Sequence, residues 1–251
     1  MLARSGGLWH KGATGEDQMR RIDGIVFDKD GTLFHFQATW GLWTEGFIEG
    51  EAQGDGRLRA RLADVLGYDL ANRAFHPGSP VIAATTGEIA ALVHPVLPGL
   101  TLEQVRARMD ARAMAIRNVE AAPLVPLFTG LRARGLRLGI ATNDTEAPAR
   151  AHLAAAGVSD LFDFVAGYDS GWGGKPAPGQ LLAFARATGL DPAQCAMVGD
   201  SLHDLHAARA AGMVAIGVLT GMADAATLDQ SADVVLGSIA ELPGWLDRPA
   251  G

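Results

Sequence analysis

The stretch Ile22-Asp23-Gly24-Ile25-Val26-Phe27-Asp28-Lys29-Asp30-Gly31-Thr32-Leu33-Phe34 decides how the chain is read. A short, mostly apolar run over residues 22–27 closes on the carboxylate of Asp28, and Gly31 permits a tight turn just behind it. Similar runs return at 136–141 before Thr142, at 162–166, at 195–198 before Gly199 and Asp200, at 214–219 and at 232–236. Near-continuous apolar runs of this length, rather than alternating ones, suit strands covered on both faces. Between them, residues 124–134, 147–156, 178–188 and 202–211 carry helical spacing, and each segment is followed by a glycine: Gly135, Gly157, Gly189 and Gly212. Strand, helix and glycine stop repeated in this order predict a parallel sheet with right-handed crossovers, an open doubly wound α/β core.

Two segments stand outside this rhythm. Residues 1–21 hold Gly6, Gly7, Gly12 and Gly15 without helical or strand period and read as a flexible arm. Residues 37–118 hold helix-like pieces at 40–49, 58–66, 89–93 and 102–119 and no convincing buried strand, with Gly78, Pro80, Pro95, Pro98 and Gly99 as breaks. The expected organisation is therefore a core made of residues 1–36 and 119–251, interrupted by a small α-helical cap over 37–118. Trp40, Trp43 and Phe47 share one helical face and read as cap core or cap-to-core contact. Trp43, Arg57, Arg59 and His76 are the cap's candidates for touching a substrate.

Composition narrows the function. With 251 residues, 48% hydrophobic and 20% charged, the chain is neither fibrous nor disordered. A net charge of −7 and 6% aromatic residues argue against a nucleic-acid partner held through phosphate contacts. The lone Cys195 forms no internal disulfide, and no apolar run approaches the roughly 20 residues of a bilayer span, so a cytoplasmic protein without a membrane partner is expected. No pattern bears on oligomeric state.

In an open α/β sheet, ligands bind beyond the carboxyl ends of the strands. Four polar clusters fall there: Asp28-Lys-Asp-Gly-Thr32; Thr142-Asn143-Asp144; the loop Gly171-Trp-Gly-Gly-Lys175-Pro176; and Gly199-Asp200-Ser201 with Asp204 one helical turn on. Asp28 is a strand-end carboxylate suited to in-line attack on phosphorus, and Asp30 is placed to protonate a leaving oxygen and then activate water. Asp28, the Asp30 carbonyl, Asp200 and Asp204 offer hard oxygen donors suited to Mg²⁺. Thr142 offers a hydroxyl, Asn143 an amide and Lys175 a point charge to a phosphoryl group. Of the 21 basic residues only Lys11, Lys29 and Lys175 are lysines, so a compact ammonium at 175 stands out in an arginine-rich chain. Lys29 is grouped with the phosphate-binding residues, its charge expected to point outward. Gly174-Lys175 fails as a nucleotide P-loop because Pro176 replaces Ser or Thr, and His203 and His206 read as a solvated helix face rather than ligands.

The text Phe27-Asp-Lys-Asp-Gly-Thr-Leu33, Ala141-Thr-Asn143, Gly174-Lys-Pro176 and Val198-Gly-Asp-Ser-Leu-His-Asp204 resembles the haloacid dehalogenase superfamily, and within it the phosphoglycolate phosphatase-like group. The resemblance covers residues 22–34 and 120–238; the cap matches only in position. It implies a Mg²⁺-dependent phosphatase acting on a small phosphorylated metabolite through an aspartyl-phosphate on Asp28, with phosphoglycolate the first candidate. His35 departs from the Asp or Asn often found there in the family, at the hinge into the cap. Dehalogenase chemistry needs neither Asp30 nor Asp200. A Schiff-base phosphonate hydrolase needs a cap lysine, and none lies between Lys29 and Lys175. A β-phosphoglucomutase-like phosphotransferase and a non-catalytic binding protein of the same fold remain as alternatives.

Overall fold

The computed structural model describes residues 22–82 and 84–248; the arm expected over residues 1–21 lies outside them. β1 (Gly24–Phe27) sits at the heart of the sheet. After it the chain leaves for a helical insertion made of α1 (Phe36–Ala52), α2 (Gly56–Leu66), the short strands β2 (Tyr68–Asp69) and β3 (Ala74–Phe75), α3 (Thr86–Val93) and α4 (Leu102–Met114). It then returns through α5 (Leu124–Ala133), β4 (Arg137–Ala141), α6 (Glu146–Ala155), β5 (Phe164–Ala166), α7 (Gly179–Thr188), β6 (Cys195–Gly199), α8 (Leu202–Ala211), β7 (Val214–Val218), α9 (Ala225–Leu228), β8 (Val234–Leu236) and α10 (Leu242–Leu246). The six core strands run in the order β5-β4-β1-β6-β7-β8, with parallel pairing throughout. This is the doubly wound α/β sheet predicted from the apolar runs.

Both faces of the sheet are covered, which is why its strands carry no polar alternation. Ile25 and Phe27 point into a core with Phe128, Leu138, Ile140 and Val198, while Val26 between them points to the opposite core with Phe184, Met197 and Leu205. On the first face the Phe128 ring meets Phe27 edge-on at 5.2 Å and Phe162 at 4.8 Å. α7 and α8 end at Gly189 and Gly212, whose φ of 71° and 75° is the left-handed cap that glycine adopts without strain.

The insertion builds a cluster of its own, with Trp43, Phe47, Leu62, Val93 and Met109 among its buried residues. Its two crossings lie side by side: the His35 amide donates to the Val119 carbonyl at 2.8 Å and the Ala121 amide to the Leu33 carbonyl at 2.8 Å. That pairing stops α4 at Met114 rather than 119, because residues leading back to the core must be extended to reach His35. Beside its helices the insertion holds one two-residue antiparallel pair, β2–β3, where no convincing buried strand was expected. Asp69 caps its turn by accepting from the amides of Ala71 at 2.8 Å and Asn72 at 3.0 Å, a local signal that needs no apolar run. Among the described residues no helix is long and apolar enough to cross a membrane.

Phe128 fills the space between the sheet and α5. Phe128→Ala is expected to cost about 3–5 kcal/mol of stability, read as a lower urea midpoint by circular dichroism with an unchanged far-ultraviolet spectrum before the transition.

Candidate active site

The register of the sheet assembles the site. Phe27 pairs with Ile140 on one side and Val198 on the other, so Asp28, Thr142 and Asp200 leave neighbouring strands at one edge. The chain order reverses around β1, the position at which an open α/β sheet forms a crevice. Asp28, Asp30, Thr142, Asn143, Lys175, Asp200 and Asp204 all line the cavity found there.

Lys175, carried in by the loop after β5, stands 2.6 Å from Asp28 Oδ1 and 2.6 Å from Asp204 Oδ1. Its backbone is clamped by Asn143, whose Oδ1 accepts from the Lys175 amide at 2.8 Å and whose Nδ2 donates to the Lys175 carbonyl at 3.0 Å. The Asn143 carboxamide, expected at the phosphoryl group, thus aligns the lysine. Asp204 divides its oxygens: Oδ2 accepts from the amide and hydroxyl of Ser201 in a capping box of α8, at 3.0 Å and 2.6 Å, leaving Oδ1 for Lys175. The Thr142 hydroxyl oxygen accepts from the Asp144 amide at 3.1 Å.

Asp200 is packed against two backbone positions that carry no side chain, Gly31 and Gly221. A Cβ on Gly31 or on Gly221 would fall on its carboxylate, and Gly31 also needs its φ of +84°. The Thr32 hydroxyl donates to Asp200 Oδ1 at 3.5 Å.

Charge is the dominant feature of this crevice. Asp28, Asp200 and Asp204 are buried, with carboxylate oxygens within 4.8 Å of one another. Burial pushes the Asp28 carboxyl up to about 7 against the pull of Lys175, with Asp204 and Asp30 adding to the rise. Burial raises Asp200 as well, reinforced by Asp28 and Asp204. Burial opposes the charge on Lys175, but Asp204 and Asp28 outweigh it and hold the ammonium protonated. One ammonium does not balance three carboxylates, so the donor set fits a divalent cation with hard oxygen ligands.

Lys29 departs from the expectation of an outward-facing charge. It is wholly buried and does not line the cavity; its Nζ lies 2.5 Å from Asp30 Oδ2, 3.3 Å from Asp144 Oδ2 and 3.1 Å from His152 Nδ1, with the Trp40 ring centroid 5.4 Å away. Burial alone would favour its neutral form, but Asp30 and Asp144 together raise its pKa. The His152 ring reaches the Ala113 carbonyl through Nε2 at 2.7 Å. A carbonyl only accepts, so Nε2 carries the proton and Nδ1 accepts from Lys29. Burial and Lys29 lower the His152 pKa, in keeping with that neutral ring.

His152 had no sequence signal, being an unremarked position on α6. Asp144 belonged to a polar cluster but had no role; its Oδ1 accepts from the Thr86 hydroxyl of α3 at 3.1 Å. Of the cap candidates, Trp43 lines the cavity, whereas Arg57, Arg59 and His76 do not; Arg59 pairs with Glu49 at 2.6 Å instead.

Comparison with known proteins agrees with this geometry. The sequence profile of the haloacid dehalogenase-like hydrolases matches residues 22–212. The chain belongs to the haloacid dehalogenase-like hydrolase family. Among curated relatives, the phosphoglycolate phosphatase of Chromobacterium violaceum is 44% identical over 112 residues, 45% of this chain and 50% of that protein. That of Rhodospirillum rubrum is 37% identical over 123 residues, 49% of this chain and 51% of that protein. The match spans about half the length of these relatives. A crystal structure of a predicted phosphoglycolate phosphatase from Haemophilus somnus superposes with a TM-score of 0.66 at 22% identity, covering 90% of this chain and 99% of that one, a likeness of fold.

The space reserved for the Asp200 carboxylate can be tested directly. Gly221→Ala is expected to displace it and weaken divalent-cation binding by about 10- to 100-fold, measured by titration calorimetry, with the melting temperature of the cation-free protein little changed.

Proposed function

We propose that the protein is a Mg²⁺-dependent phosphoric monoester hydrolase. The observation that carries this reading is the pairing of a buried strand-end carboxylate, Asp28, with the Lys175 ammonium at 2.6 Å, in a crevice whose remaining acids call for a cation. Phosphoglycolate, named in the relatives, is the reference ester for assay.

An oxygen of Asp28 attacks phosphorus in line, forming an O–P bond as the ester P–O bond breaks. Asp30 passes its proton to the departing alkoxide, then takes one from the water that attacks the aspartyl-phosphate, releasing inorganic phosphate and restoring Asp28. Its Oδ1 is buried without a hydrogen-bond partner among the described residues, while Oδ2 is fixed by Lys29, which suits an oxygen kept for substrate. Lys175 steadies Asp28 and the transferring group, with Asp204 and Asn143 holding its two ends. The Thr142 hydroxyl is assigned to a phosphoryl oxygen. Asp28, Asp200 and the Asp30 carbonyl would hold Mg²⁺, which when bound neutralises charge on the phosphoryl oxygens. Lys29 is assigned to positioning Asp30 rather than to binding phosphate.

Phosphate release from an ester panel should require the metal, disappear with EDTA and return with Mg²⁺. Asp28→Asn should lower turnover by about 10³-fold or more and abolish acid-stable labelling of the protein by radioactive phosphate ester; undiminished turnover would overturn the assignment. Lys29→Met should lower kcat by about 10- to 100-fold with KM little changed, because it loosens Asp30 without touching the phosphate. Steady-state kinetics separates this from a loss of binding.

A further inference from the structure

The cavity has a polar floor and an apolar roof. From the insertion it is lined by Phe36, Trp40, Trp43, Ile82, Ile89 and Met109. The polar side chain added from that side is Thr86, whose hydroxyl is donated to Asp144. The Lys and His side chains on the lining, Lys175 and His203, come from the core. Lys175 is held between Asp28 and Asp204, and His203 stands near Glu88, whose carboxyl is held low by Thr85 and further by His203. No arginine of the insertion is among the described residues lining the cavity, and four of them pair elsewhere: Arg59 with Glu49, Arg73 with Glu45, and Arg108 and Arg112 with Glu51.

A phosphate dianion finds its counter-charge in Lys175 and the cation that the acids call for. A second anionic group on the same substrate, lying along the insertion's side of the cavity, meets no Lys, Arg or His among the described lining residues of that side. It would lie against aromatic and aliphatic side chains, above a floor that already carries Asp28, Asp30, Asp144, Asp200 and Asp204. An unpaired carboxylate taken out of water into such surroundings is strongly disfavoured, whereas apolar surface placed there is favoured. Trp40 and Trp43 meet edge-on at 5.3 Å, and both side chains are more than nine-tenths buried.

We propose that the ester accepted by this site is that of an uncharged, predominantly apolar alcohol, whose alkyl or aryl body packs against the Trp40–Trp43 wall, and that carboxylated esters such as phosphoglycolate are disfavoured. The proposal rests on the phosphomonoesterase reading and narrows its substrate class.

The test compares kcat/KM of the full chain with Mg²⁺ for hexyl phosphate and 2-phenylethyl phosphate against phosphoglycolate, with p-nitrophenyl phosphate as a reference for phosphatase activity as such. The apolar esters are expected to exceed phosphoglycolate by about 10- to 200-fold. Equal or better turnover of phosphoglycolate overturns the proposal and leaves the phosphatase reading standing. If no ester, p-nitrophenyl phosphate included, is cleaved faster than by Asp28→Asn, the phosphatase reading fails. Binding then decides the preference of the pocket, by calorimetry with hexylphosphonate and phosphonoacetate. Tighter binding of hexylphosphonate supports the apolar site, and equal or tighter binding of phosphonoacetate overturns it.

Discussion

Three carboxylates that share a buried crevice with one ammonium set the terms for the rest of this molecule. Asp28 and Asp200 leave adjacent parallel strands in register, so the sheet that pairs Phe27 with Val198 brings their charges together whatever the surroundings. In a low-dielectric interior such a group is tolerable only with counter-charge and with room. Counter-charge arrives as Lys175, whose place is fixed at the backbone by Asn143 and at the ammonium by Asp28 and Asp204. Room comes from glycines, since side chains at Gly31 and Gly221 would occupy the Asp200 carboxylate and one at Gly199 that of Asp204. The negative charge left over by one ammonium is what gives the crevice its fit to a cation.

The insertion meets this site through its polar side as well as its apolar one. Thr86 of α3 bonds Asp144, Asp110 of α4 accepts from the Thr145 hydroxyl at 2.9 Å, and the Ala113 carbonyl receives His152. These contacts converge on the loop after β4 and on α6, beside the strand end that carries Thr142. α3 and α4, which add Ile89 and Met109 to the apolar lining, thus also supply these bonds, while α1 brings Trp40 and Trp43.

Much of this was written in local pattern. Both faces of the sheet are buried, so its strands read as apolar runs, and the acids that follow them mark the ligand edge. Asp28, Thr142, Asp200 and Asp204 were legible because each follows a strand or opens the helix behind one, and Lys175 because it follows a glycine-rich run in a chain with only three lysines. The environment of Lys29 was not: its neighbour Asp30 is in sequence, but Asp144 and His152 reach it only through the pairing of β1 with β4 and the packing of α6. The β2–β3 hairpin escaped because two-residue strands have no period, and α4 ends early because the return to His35 overrides a helical pattern that runs on to 119. Whether Arg57 and Arg59 reach the crevice likewise turned on which side of α2 faces it, and His76 lies just after β3.

The link from the insertion to Asp30 passes through His152 to the Ala113 carbonyl, a backbone group. The oxygen belongs to the backbone, so the link survives any substitution at 113 that fits the buried space Ala113 fills. Drift in the wall can exchange one apolar group for another, and change which alcohol fits, without unfastening the residues that hold the acid. Selectivity and chemistry are thereby open to separate evolutionary histories within a single cleft.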